Sequence, residues 1–288
     1  EEGKASVKPI LFQEAVFNAP VSLISIFYGI KGPCIALPMG HASGVYSINA
    51  AMNYFNSYDL DCILVIASDE ICKSVHEAYD YLKVLSPNDN QGEGIKPFDR
   101  KANGTVLSEG SVAIILETET SALKREAKVY AEIAGCAMSS DAYKIADNNP
   151  DGSGLCRAIK NAMQQAEISA ENIDYIAASA SGIKNLDMLE IKAIEKVFGE
   201  KAASILVSSI KGSIGETKGP GGLFNIAAGV FAIRDGIIPP TLNYNHPYYD
   251  YNLDIVSGSA RNREVNTVIS NAISWGGIYS SAVIRRYE

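Results

Sequence analysis

Apolar residues along the chain follow two alternating periods, and these predict strands and helices in turn. Short β-branched runs are typical of buried strands, whereas apolar residues three and four apart indicate helices packed on a sheet. Strands are predicted at 62–67, 111–116, 128–136, 173–178, 205–208, 267–274 and 280–285, and helices at 44–58, 156–166, 187–198 and 223–234. Strands and helices that alternate in this way predict an α/β fold with covered sheets.

Composition and charge narrow the class of protein. The chain has 288 residues, of which 47% are hydrophobic and 20% charged, so it can bury one large core or two modest ones. A net charge of −8 argues against a nucleic-acid partner, which would need clustered Lys and Arg. Because the sequence has no apolar run of bilayer length and no signal-peptide character at its start, we expect a cytoplasmic protein with no membrane partner.

The five cysteines are odd in number and scattered, and no two of them form a CxxC pair. This pattern predicts neither a disulfide framework nor a zinc site, and we expect no bound metal. Most of the cysteines lie in apolar surroundings, which is typical of small buried side chains in a reducing compartment.

Four separated segments carry a more specific pattern. They are Tyr-Gly-Ile-Lys-Gly-Pro at 28–33 followed by His-Ala-Ser-Gly at 41–44, then 96–110, then 207–241 with its Gly-rich turn, and finally 270–277. In this order and spacing they resemble the β-ketoacyl synthase family, which has the thiolase fold. The resemblance spans nearly the whole chain. It implies a layered αβαβα fold with an N-terminal half at 1–120 and a C-terminal half at 121–288, which form one compact unit.

The family's reaction is a decarboxylative Claisen condensation. A cysteine at a strand-to-helix turn accepts the acyl group, and two histidines, or a histidine and an asparagine, stabilise the developing negative charge. The matching positions of these three reacting groups carry other residues here: His41 for the cysteine, and Ser179 and Glu216 for the histidines. The supporting groups that match the family are Lys211, Asp187 and Glu190, and a further supporting acid has become Asn225.

We therefore expect no condensation by this chain alone. Cys34 is not expected to substitute, because it lies seven residues before His41 in a predicted strand that would bury its sulfur. Glu216 would place a carboxylate where the mechanism needs a donor that faces an enolate. The pattern is similar to the chain length factor, or ketosynthase β, of type II polyketide synthases, which commonly has glutamine at the cysteine position.

This resemblance implies a non-catalytic subunit that pairs with an active ketosynthase α and sets the length of a polyketide or polyene chain. An acyl carrier protein would deliver that chain on its phosphopantetheine arm, and no cofactor is expected to bind this chain directly. The resemblance places Phe12, Gln13 and Phe17 at a dimer interface or beside the partner's acyl tunnel, although generic interface packing explains them equally well. Only about thirty residues precede Gly32, fewer than the family normally has. The N-terminal half is therefore expected to be naturally short, cut or split, and an obligate heterodimer would cover the bare sheet.

Two other hypotheses stay open. One is a degenerate ketosynthase-like scaffold with no polyketide product, and the other is an unconventional acyltransferase or decarboxylase that uses His41. His41 could have a role in the altered site, either as a hydrogen-bond donor or by blocking the pocket. Alternatively, it is a structural residue held by hydrogen bonds. Glu216 either pairs with Lys211 or Lys218 and closes the site, or is solvated. The Tyr- and Asn-rich stretch 242–253 is predicted to be a packed irregular loop rather than an aromatic binding surface.

Overall fold

The structure, a computed structural model, describes residues 15–88 and 92–288. The chain forms two compact units, Glu1–Pro38 and Met39–Glu288. The division into halves at residue 120 stays a prediction. Within the described ranges, no helix is long and apolar enough to cross a bilayer.

The described part of the first unit contains helix α1 (Ala19–Tyr28). Proline is tolerated in its first turn because the N–H groups there have no intrahelical acceptor, so the N–H that proline lacks is not missed. Gly29 ends the helix with a φ of 65°. The strand predicted between Gly32 and His41 is wrong: residues 33–38 are all described, and none of them belongs to a strand or pairs with one. Cys34 is consequently exposed rather than buried. Phe17 is exposed just before α1, while Phe12 and Gln13 lie outside the described residues.

The second unit alternates helices and strands as the hydrophobic periods predict. Its helices are α2 (Ser43–Ser57), α3 (Lys73–Tyr81), α4 (Glu119–Lys124), α5 (Ser153–Gln165), α6 (Lys184–Phe198), α7 (Lys211–Ile214) and α8 (Gly221–Asp235). Its longer strands are β1 (Cys62–Asp69), β2 (Gly110–Glu117), β3 (Glu132–Ser140), β9 (Thr267–Ser274) and β10 (Ile278–Arg285). Its shorter strands are β4 (Tyr175–Ala177), β5 (Leu206–Ser208), β6 (Ile237–Ile238), β7 (Asp254–Ile255) and β8 (Arg261–Asn262).

Six of the described strands form a central mixed sheet in the order β3-β10-β9-β4-β5-β7. Strands β3, β10 and β9 pair antiparallel, whereas β9, β4, β5 and β7 pair parallel. Every residue of β9 is buried, which explains its run of apolar and small side chains without alternation. Helices α5 and α6 cover one face of this sheet, and α2 and α8 cover the other.

Strands β1 and β2 form a second, antiparallel sheet, which packs on the far side of α2 and α8. The layers therefore follow one another as helices, sheet, helices and sheet, and the predicted layered α/β fold is confirmed. Strand β3 begins at Glu132 and not at 128, because its ladder with β10 sets its limits. The hydrophobic pattern did not predict helix α3, because all nine of its residues are exposed or only partly buried.

Candidate functional site

His41 lies in a short 3₁₀ turn, Gly40–Ala42, that leads directly into α2. Gly40 has a φ of 60°, and a Cβ on it would overlap the hydroxyl of Ser274, so glycine is required at this position. The His41 N–H donates to that same hydroxyl at 3.2 Å. The turn is thereby fixed to the end of β9, and the predicted strand-to-helix position of His41 becomes a loop-to-helix position at the N-terminus of α2.

The imidazole of His41 is partly buried between two aromatic side chains. Its Nε2 lies 3.0 Å from the hydroxyl of Tyr79, and the Trp275 ring meets it edge to face at 5.3 Å between centroids. Burial lowers the pKa of His41, and this outweighs the opposing attraction of the Glu216 carboxylate. The imidazole is therefore neutral at neutral pH.

Glu216 and Lys211 form a buried ion pair. Lys211 Nζ donates to Glu216 Oε2 at 2.7 Å, and the Lys218 N–H donates to Glu216 Oε1 at 2.8 Å. Burial opposes ionisation of Glu216, but the Lys211 ammonium and these hydrogen bonds hold its pKa below the usual value. Of the alternatives for Glu216, the structure selects pairing with Lys211, while Lys218 Nζ binds Asp69 at 2.9 Å.

Every polar atom of Ser179 has a partner. Its hydroxyl accepts from the Ile273 N–H at 3.1 Å, its carbonyl accepts from Lys211 Nζ at 2.7 Å, and its N–H donates to Glu190 at 3.0 Å. The residue therefore ties β9, α6 and α7 together where the family's motif has its first histidine. The hydroxyl is held in place by this bond and keeps its own O–H to donate.

Asp187 and Glu190 lie on one face of α6, fully buried. Asp187 accepts the N–H groups of Phe98, Ser181 and Gly182 at 2.9, 2.9 and 3.2 Å. Burial raises its pKa to about 6 in spite of these donors. The acid therefore serves to fix loop backbone, and it connects the 96–110 segment to the site.

Within the part of the chain that the structure describes, Glu190 has fewer hydrogen-bond donors than Asp187, and they reach only one of its two carboxylate oxygens. Its Oε1 accepts from the Ser179 N–H and from Asn271 Nδ2, each at 3.0 Å, whereas no donor among the described residues reaches its Oε2. Burial raises its pKa to about 7. Asn225, in the place of a further acid, donates from Nδ2 to the Ala178 carbonyl at 3.0 Å, so an amide here removes one more buried charge.

The structure brings the predicted site residues together. His41, Ser179, Lys211 and Glu216 line one small cavity, and Asp187 and Glu190 lie behind it. A water-sized group finds about 10 Å³ of space there, roughly the room that one water needs. A phosphopantetheine arm does not fit this space. No thiol occurs among the described residues that line it.

The sequence did not predict the two aromatic residues that contact His41. Tyr79 lies on α3, a short helix of mostly polar residues, so nothing in the sequence pointed to its contact with His41. Trp275 belongs to the 270–277 motif, which by itself assigns it no role. The two glycines that follow it, with φ of 79° and 71°, form the tight turn that presents its ring.

A layered α/β fold with a site at the N-terminus of its central helix defines the thiolase-like ketosynthase class. A solved complex of a type II PKS acyl-carrier protein with its ketosynthase bound to the hexaketide superposes with a TM-score of 0.95 at 27% identity, covering 99% of this chain and 71% of that one. Family models described as "Beta-ketoacyl synthase, N-terminal domain" and "Beta-ketoacyl synthase, C-terminal domain" match residues 1–122 and 130–245. The chain belongs to the β-ketoacyl synthase family.

Its relatives include 3-oxoacyl-[acyl-carrier-protein] synthases and polyketide synthase subunits. It is 32% identical over 286 residues to the 3-oxoacyl-[acyl-carrier-protein] synthase 2 of Coxiella burnetii (strain RSA 493 / Nine Mile phase I), covering 99% of this chain and 69% of that protein. It is 35% identical to the tetracenomycin polyketide synthase ketoacyl synthase alpha subunit of Streptomyces glaucescens, over 90% of this chain and 61% of that one. The ishigamide ketosynthase/chain length factor structure gives a TM-score of 0.91 at 26% identity, over 99% and 68% of the two chains.

Proposed function

We propose that this chain is a non-catalytic chain length factor that pairs with an active ketosynthase to elongate a carrier-bound polyketide or polyene chain. The observation that carries the proposal is the buried Lys211–Glu216 ion pair beside His41. Condensation needs a thiolate nucleophile and donors that face an enolate. Here the site has an imidazole, that of His41, at the position of the thiolate and a carboxylate, that of Glu216, at the position of a donor.

The charges of the site support the absence of condensing chemistry. Glu216 is ionised, because its pKa is held below the usual value, and its charge would oppose that of an enolate. Two of the three N–H donors of Lys211 are already used, by Glu216 and by the Ser179 carbonyl, so at most one is left to face an enolate. We infer that His41, Ser179 and Glu216 stand at the positions of the lost catalytic groups, around the retained Lys211, Asp187 and Glu190.

The proposed partners follow from the relatives. One solved neighbour is a ketosynthase/chain length factor, and another is an acyl-carrier protein in complex with its ketosynthase. By analogy, a ketosynthase α would supply the cysteine and both histidines for this chain, and an acyl carrier protein would present its phosphopantetheine arm to that partner. Phe17, with Phe12 and Gln13, is proposed to lie at the interface or beside the partner's tunnel.

Co-expression with an active ketosynthase α tests this proposal. A chain length factor should co-purify with it in a one-to-one complex, and the complex should make a product of defined length. Failure to form the complex, with the partner folded and active, would favour the scaffold hypothesis instead.

A second candidate is an acyltransferase or decarboxylase that uses His41. It is favoured by the position of a neutral imidazole at the N-terminus of α2. Against it, Nε2 is engaged by Tyr79 and the adjoining space is about 10 Å³. The variant His41→Ala in the complex separates the two functions. It should retain product formation if the chain is a chain length factor, and abolish it if His41 reacts.

A further inference from the structure

Helix α3 lies against the site through very few of its side chains. In the described helix only Val75 and Tyr79 are partly buried, and the other seven residues are exposed. These two positions are four residues apart and so share one face of the helix. Tyr81, on another face, is 85% exposed. The helix is therefore held by a narrow contact rather than by a buried apolar stripe.

Tyr79 makes the contact that matters to the site. Its hydroxyl lies 3.0 Å from His41 Nε2, and its ring lies 5.2 Å from that of Trp275 between centroids. Trp275 also contacts the His41 ring, so the three rings touch one another pairwise. Burial raises the pKa of the Tyr79 phenol, so the phenol stays protonated beside the imidazole.

Both ends of the segment that carries α3 are fastened to the body of the second unit. At the start, Lys218 Nζ donates to the Glu70 carbonyl at 2.9 Å, and the Ile71 N–H donates to Glu109 at 3.2 Å. At the end, the Ser86 N–H donates to the Thr105 carbonyl at 2.7 Å. Between these anchors the segment crosses the site with Tyr79 at its centre. Trp275, by contrast, is carried by the turn between two buried strands.

We propose that α3 is a lid over the His41 site, and that Tyr79 is the residue that keeps it closed by capping His41 Nε2 against Trp275. An anchored segment with an exposed helix and one inward tyrosine can lift without disturbing the core, because little apolar surface is buried beneath it. When Tyr79 leaves, Nε2 becomes available to an electrophile or acyl donor. The proposal concerns access to the site and does not depend on the chain length function.

Carbethoxylation of histidine by diethyl pyrocarbonate, followed by peptide mass spectrometry, tests the lid in the full chain. The protein has three histidines, and the exposed His76 and His246 serve as internal references for the rate of modification. Burial lowers the pKa of His41, so its imidazole is in the reactive neutral form at pH 7.5. Slow modification therefore reports shielding and not protonation. We expect His41 to react at least about tenfold more slowly than His76, as a capped Nε2 requires.

The variant Tyr79→Ala should raise the rate at His41 by about 5–30-fold, since one hydrogen bond and the ring contacts are lost. The rates at His76 and His246 should not change. Tyr81→Ala is the matched control, because it removes the same side chain from an exposed position of the same helix. It should leave the rate at His41 as in the wild type.

Tyr79→Phe keeps the ring and removes only the hydroxyl, so it decides the matter if Tyr79→Ala fails to fold. It should raise the His41 rate by a smaller factor than Tyr79→Ala, with unchanged alkylation of the buried Cys136 and Cys156. Equal rates at His41 and His76 in the wild type would overturn the proposal. So would equal effects of Tyr79→Ala and Tyr81→Ala, or no effect of Tyr79→Phe in a folded protein.

Discussion

Glu216 and Glu190 are two buried carboxylates of one site with opposite properties. Glu216 is bonded to Lys211 Nζ at 2.7 Å and its pKa is lowered, whereas Glu190 has an oxygen without a donor among the described residues and its pKa rises to about 7. Glu216 bonds directly to the Lys211 ammonium, whereas Glu190 feels that ammonium only at longer range and is repelled by Asp187. A buried charge persists where a cation bonds to it, and is discouraged where none does.

This comparison explains how the site tolerates so many acids. Three buried carboxylates surround Lys211, and full ionisation of all three would leave uncompensated negative charge in the core. Asn225, a neutral amide, adds none. The ion pair keeps Glu216 charged towards His41, while the acids behind Ser179 serve as acceptors for backbone and amide N–H groups.

The largest expected effect comes from removing the cation. Lys211→Met should leave Glu216 as a buried carboxylate without a counter-ion, like Glu190, and should lower the free energy of unfolding by about 3–5 kcal/mol. Urea unfolding at pH 7 measures this. The double variant Lys211→Met/Glu216→Gln is the control and should recover most of the loss, because it removes both charges. A loss below about 1 kcal/mol in the single variant would contradict the role given to the ion pair.

A second effect is the pH dependence that Glu190 imposes. Its pKa in the folded state, about 7, lies above the usual 4.5, so its contribution to stability is present below pH 4.5 and is lost as the pH rises through 7. Glu190→Gln mimics the protonated acid and removes this dependence. Between pH 4.5 and 9, the stability of the variant should rise relative to wild type by about 3 kcal/mol.

Burial raises the pKa of Asp187 as well, to about 6, so its contribution to stability is lost at lower pH than that of Glu190. Asp187→Asn removes this second pH dependence. Its amide N–H₂ would face backbone donors that now bind the carboxylate, so this variant should be less stable than wild type at neutral pH by about 1–3 kcal/mol. Parallel stability curves for Glu190→Gln and the wild type would show that Glu190 is not the titrating group.

The smallest effect concerns Ser179. Ser179→Ala removes the acceptor of the Ile273 N–H but keeps the carbonyl that binds Lys211, so we expect a loss of about 1–2 kcal/mol. Thermal unfolding would detect a change of this size. A neutral substitution would mean that the hydroxyl is free, and that Ser179 is available for another role.

The sequence predicted the long strands and helices well, because β9 and α6, for example, are buried along most of their length and their apolar patterns follow directly. It also predicted that His41, Ser179, Lys211 and Glu216 belong to one site, through the spacing of family motifs. It failed where structure depends on contacts between distant segments. The lid helix is short and mostly polar, and the stretch 33–38 is apolar but has no described strand to pair with.

In the tyrosine-rich loop 242–253, burial was likewise predictable from the sequence and specific contacts were not. Tyr244, Tyr248, Tyr249 and Tyr251 pack partly buried against the core, as predicted for an irregular packed loop. The bond from the Tyr248 hydroxyl to Asp187, at 3.4 Å, was beyond prediction because the two residues are 61 positions apart. Periodicity indicates which side chains are buried, and only the fold determines which of them meet.

The central claim is that this site does not condense, and an assay of the isolated chain tests it most directly. The purified protein is supplied with acyl- and malonyl-loaded carrier protein, and products are followed by mass spectrometry, with an active ketosynthase as positive control. We predict no acyl-enzyme for the wild type, and no condensation product for either the wild type or His41→Cys, because Ser179 and Glu216 still occupy the other two positions. Turnover by the isolated wild-type chain that is lost in His41→Ala would contradict the account.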